Sequence, residues 1–90
     1  MSNVSRMEDI LTFNLSRDEA LVLEALFARF DEESRLTLKH NAEFIALSRI
    51  AAQIEKALVE PFQADYLSLV TAAQSRVAEG YEGLAPGVGL

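Results

Sequence analysis

From residue 17 onward, apolar residues return every three or four positions, the spacing of helices that turn one side inward. Leu23, Leu26, Phe27 and Phe30 form such a stripe and predict a helix over 17–33. Leu47, Ile50, Ala51, Ile54 and Leu58 predict a second over 42–59, and Tyr66, Leu69, Val70, Ala73 and Val77 a third over 63–79. Two shorter segments have another period. Leu11, Phe13 and Leu15 alternate with polar residues, as in a half-buried strand. Leu36 and Leu38 alternate within 35–39, which reads either as a second short strand or as an extended linker. The pattern predicts a mostly α fold, a compact three-helix bundle, with a minor pairing of 11–15 with 35–39 as an addition to it.

Local chemistry marks the boundaries. Ser16 followed by Glu19 is a capping box: the hydroxyl accepts from the Glu19 N–H and the Glu19 carboxylate reaches back to Ser16. Asp18 and Glu19 also suit the positive end of a helix dipole. Asn41 is a good N-cap for the second helix, and Pro61 should end it, because proline disfavours helical geometry in the residue before it. All four glycines, Gly80, Gly83, Gly87 and Gly89, fall in the last eleven residues. Gly80 sits where a left-handed C-cap belongs. The expected division is a frayed N-terminus at 1–10, a helical domain at 11–79 and a flexible glycine-rich tail at 80–90. A body without glycine also lacks the backbone for a phosphate-cradling loop.

Two helices have a second apolar seam. Leu21, Ala25 and Ala28 lie away from the main stripe of the first helix, and Ile45, Ala52 and Val59 away from that of the second. A three-helix bundle needs one stripe per helix. Exposed apolar seams mark interfaces, and two-fold dimers are the commonest oligomers. The six seam residues are therefore the expected homodimer interface, unless a neighbouring element of the same chain covers them.

Composition narrows the partners. Ninety residues make one domain. Fourteen acids against eight bases leave a net charge of −6, which opposes binding to nucleic acid or anionic lipid and suits a basic protein partner. There is no cysteine, so neither a disulfide nor a thiolate metal site is available. No apolar run approaches the roughly 20 residues of a membrane span, and the N-terminal residues lack the apolar core of a secretion signal. The expected location is the cytoplasm.

No constellation for catalysis emerges. His40, the sole histidine, precedes Glu43 by one helical turn, but a closed metal site needs three or four convergent ligands. Ser34, Ser48, Ser68 and Ser75 lie in no nucleophile-elbow pattern. Glu24, Asp31, Glu55 and Glu60 read as solvated helix faces. The expectation is no enzyme, no metal, no cofactor and no small-molecule substrate.

The order alternating strand, capping box, helix, extended link, helix resembles the ribbon-helix-helix proteins over Leu11 to Leu58. That resemblance implies a dimer paired through 11–15, with Thr12 and Asn14 turned toward the major groove. The strand carries no Lys or Arg to release counterions, so the first reading is a small acidic interaction module, homodimeric, able to neutralise a basic protein partner. A ribbon-helix-helix-like DNA-binding dimer, as in a transcriptional regulator or antitoxin, is the alternative.

Overall fold

Ser16 opens the first helix as its chemistry requires. Its hydroxyl accepts from the Glu19 N–H at 3.0 Å, and its own N–H donates to the Glu19 carboxylate at 2.8 Å. Helix α1 then runs over Arg17–Glu33, α2 over Asn41–Ala57 and α3 over Tyr66–Ala78, with a 3-10 turn at Glu60–Phe62 between the last two. The structure is a computed structural model and describes residues 9–89. Most of the expected frayed terminus, residues 1–8, lies outside them.

The helix ends match the sequence where side-chain chemistry is specific and depart from it where the core decides. Helix α1 stops at Ser34, which takes the left-handed conformation with φ +54° and donates its N–H to the Phe30 carbonyl at 2.7 Å. Helix α2 is capped by His40 rather than Asn41: the His40 Nδ1 accepts from the Ala42 N–H at 2.9 Å. Glu43 reaches back to the Lys39 N–H at 2.6 Å. Together the two side chains satisfy one N–H inside the helix start and one just before it. The helix ends two residues early, because Leu58 leaves it in an extended conformation and is buried in the core. Pro61 then lies inside the 3-10 turn. Helix α3 begins at Tyr66 rather than 63 and ends before Gly80, whose φ of +87° matches the left-handed position expected there.

No strand occurs among the described residues, so the pairing of 11–15 with 35–39 is not formed. A two-stranded ribbon is marginal without a sheet or helix behind it, and here Leu11 and Phe13 face solvent.

Helix α1 lies between the other two, and both run antiparallel to it. Asp18 meets Arg76 and Glu24 meets Tyr66 on α3, while Phe30 meets Phe44 on α2. Leu21 is 3% exposed and clusters with Ile54, Leu58, Val70 and Ala73. Ala73 has no exposed surface, and its small side chain lets α1 and α3 approach closely. Leu23 and Phe27 turn toward α2 and are half-buried. The two seams of α1 therefore have two neighbours in the same chain, and Leu21 belongs to the core rather than to a surface seam.

Two forked ion pairs fix the start of α1. Arg17 holds Glu60 through Nε and Nη2 at 2.7 and 3.0 Å, and Arg76 holds Asp18 at 2.6 and 2.9 Å. The first ties α1 to the 3-10 turn, the second to the C-terminal end of α3. The hydrogen bonds from these guanidiniums hold the Asp18 and Glu60 carboxyls below their usual values of 3.8 and 4.5.

Two outcomes follow from these contacts. Ser16→Ala should cost about 0.5–2 kcal/mol, seen as a fall in Tm by circular dichroism; an unchanged Tm contradicts the cap. The ion pairs contribute stability above the ordinary values of Asp18 and Glu60, and it is lost as pH falls through their lower folded values. The acid-induced drop in Tm should therefore be smaller in Asp18→Asn combined with Glu60→Gln. An equal drop in both proteins shows that these carboxylates are not the titrating groups.

Candidate functional site

A cleft of about 160 Å³ opens between α1 and α2. Its apolar floor is Phe27 and Phe30 from one side and Phe44, Leu47, Ala51 and Ala52 from the other. The Phe30 and Phe44 rings meet at 6.4 Å between centroids, tilted by 57°, and close one end. Toward the core the cleft continues into a hollow of about 90 Å³ that shares Phe27, Asp31, Ala51 and Glu55 and adds Glu24 and Ala28.

Helical spacing explains the lining. Glu24, Phe27, Ala28 and Asp31 are three or four residues apart along one side of α1, as are Ala51 and Glu55 on α2. Three carboxylates therefore rim an apolar floor, and neither hollow is lined by Lys or Arg. The bases of the described residues are used elsewhere in part: Arg17, Arg35 and Arg76 pair with Glu60, Glu33 and Asp18.

Glu24 departs from the sequence reading. It is 8% exposed rather than a solvated face, and one carboxylate oxygen accepts from the Tyr66 hydroxyl at 2.6 Å. No donor among the described residues reaches the other oxygen. Burial, and then the Glu24 carboxylate, push the Tyr66 hydroxyl up to about 12. The signal was present in the sequence: Glu24 has Ala20 and Leu21 one turn before it and Phe27 and Ala28 one turn after it. Glu60 also has a partner, Arg17, whereas Asp31 and Glu55 are exposed as expected.

The six predicted interface residues separate. Leu21 is in the core, and Ala25 is half-buried where α1 meets α3, beside Tyr66 and Val70. Ala28 is exposed at the rim of the same junction. Ile45 is 49% exposed, and Ala52, also exposed, lines the cleft. Val59, 57% exposed, lies beyond the helix end, so the seam is shorter than its seven-residue spacing implied. His40 and Glu43 are engaged in the cap of α2. Among the described residues no group of three or more His, Asp or Glu side chains is arranged to hold a metal ion, and no helix is long and apolar enough to cross a membrane.

Comparison of the chain with protein-family models, curated proteins and solved structures found no match.

Tyr66→Phe leaves the buried Glu24 carboxylate without its donor and should cost about 1–3 kcal/mol in chemical denaturation. Adding Glu24→Leu removes the stranded acceptor and should recover part of that loss; no recovery contradicts the pairing. The folded value of Tyr66 lies above its usual 10.0, so its contribution is present below pH 10 and is lost as pH rises through about 12.

Proposed function

We propose that the chain is a cytoplasmic, non-enzymatic interaction module, homodimeric, whose α1–α2 cleft receives a basic segment of a protein partner. The observation that carries this reading is the apolar floor rimmed by Glu24, Asp31 and Glu55 without a base in its lining. An amphipathic helix laid in a groove buries its apolar side and pairs its charges at the rim, and an overall charge of −6 draws a basic partner toward it. The same charge and the ion-paired arginines disfavour nucleic acid.

Surface area supports the dimer. The chain exposes 7794 Å², about half as much again as a compact monomer of 9.9 kDa. Exposed apolar side chains on the helices, Phe44, Ile45 and Leu67 among them, contribute to that area. A stable interface buries roughly 800 Å² per partner. On α2, Ile45 is half-exposed and does not line the cleft, whereas Ala52 lies at the cleft's edge. Arg49 stands one turn beyond Ile45, so a second acidic copy meets less repulsion there than at the cleft.

Sedimentation should give twice the 9.9 kDa chain mass, and Ile45→Glu should give the monomer with unchanged helix content. A basic protein captured from the native lysate should be lost with Ser48→Arg, which places a competing guanidinium at the cleft's exposed edge. Retention by that variant overturns the cleft as the site. Sub-micromolar binding to duplex DNA that weakens steeply with salt overturns the whole reading in favour of a ribbon-helix-helix regulator.

A further inference from the structure

We infer that the inner end of the cleft is a slot for an arginine side chain of the partner, an inference that rests on the cleft being the docking site. Glu24 is more than nine-tenths buried, and only one of its oxygens has a hydrogen-bond donor among the described residues. No described buried side-chain oxygen is both sealed off and unpaired, so the second Glu24 oxygen is within reach of solvent, and Glu24 lines the hollow. The open oxygen can accept a further charge-assisted hydrogen bond from a partner's donor.

The surroundings select among cations. Glu24, Asp31 and Glu55 line one hollow but are not arranged as a metal-holding group. The three carboxylates do not converge on one point. A guanidinium has five N–H donors in a planar fork and stacks on aromatic faces. It can donate to the free Glu24 oxygen and to a rim carboxylate while its plane lies against Phe27, which lines the same hollow. Its aliphatic stem covers the Ala28 and Ala51 methyls that complete the wall. Lysine offers the charge without the fork or the plane. The partner is accordingly a protein segment whose apolar side faces Phe30, Phe44 and Leu47 and whose arginine enters beside Glu24.

The test uses the full chain and three synthetic amphipathic peptides of about 18 residues, long enough to sustain a helix. They share leucine and alanine positions and carry arginine, lysine or citrulline at the charged ones. Affinity is read by fluorescence anisotropy, and the site by amide shifts at Phe27, Ala51 and Glu55. The arginine peptide should bind about tenfold or more tighter than the citrulline peptide, reflecting charge-assisted hydrogen bonds, and measurably tighter than the lysine peptide. Glu24→Gln, which keeps an acceptor for Tyr66, should bring arginine binding close to the citrulline level. Should that variant unfold, exposed Glu55→Gln should reduce the arginine preference in a folded protein. Equal binding of arginine and lysine peptides overturns the guanidinium assignment. Equal binding of arginine and citrulline peptides, with the shifts still in the cleft, overturns the slot and leaves the docking reading standing. No shift in the cleft with any peptide overturns both.

Discussion

Because α1 lies between α2 and α3, it has to be apolar on two sides. Leu21 and Ala25 turn toward α3, and Leu23 and Phe27 toward α2. The other two helices each pack mainly on α1. One helix is thereby well covered and two are covered on one side only. Among the described residues the buried apolar ones reduce to Leu21, Ile54, Leu58, Val70 and Ala73, a small core for a chain that is half hydrophobic. The cleft between α1 and α2 follows from the same arrangement. Leu21, Ile54 and Leu58 pack together near one end, and the Phe30 and Phe44 rings meet near the other.

This arrangement explains which features were legible in the sequence. The capping box at Ser16 and the left-handed Gly80 depend on groups within a few residues of one another, and both stand where local chemistry put them. The main stripes of α2 and α3 needed only a single apolar neighbour to be read correctly. The double stripe of α1 was visible too, but periodicity gives the number of apolar sides, not what covers each. A second helix of the same chain and a second copy of the chain leave the same pattern at Leu21 and Ala25. The end of α2 was set by the burial of Leu58, a long-range demand that Pro61 only approximated. Asn41 lost the cap to His40 because imidazole Nδ1 can accept as a side-chain oxygen does, and Glu43 adds a bond from the Lys39 N–H just before it.

The site was less legible than the fold. Asp31 and Glu55 were placed correctly on the surface, but nothing local tells a rim from any other charged helix face. The cleft exists only because α2 lies against one side of α1. Glu24 was misread because most glutamates on amphipathic helices are solvated. Its burial depends on Tyr66, forty-two residues away, arriving with a hydroxyl at the right height.

Charge is divided between two ends of the molecule, and the division bears on what each surface can meet. At the start of α1, acids and arginines are matched: Asp18 with Arg76 and Glu60 with Arg17. Along the cleft they are not, since Glu24, Asp31 and Glu55 line it with no base beside them. Matched pairs at an exposed surface add modest stability and leave little field. Unmatched carboxylates beside an apolar floor do the opposite: they disfavour a second acidic copy and favour a cation that brings its own apolar side. The side of α2 that bears Ile45 has the reverse character, with Arg49 one turn further along the helix. A single chain thus presents two apolar surfaces of unlike charge. On the proposed reading, self-association through the Ile45 side would leave the cleft free, and such a dimer would offer two acidic clefts to two basic segments, or to one partner at two points with the gain in effective concentration that linked sites confer.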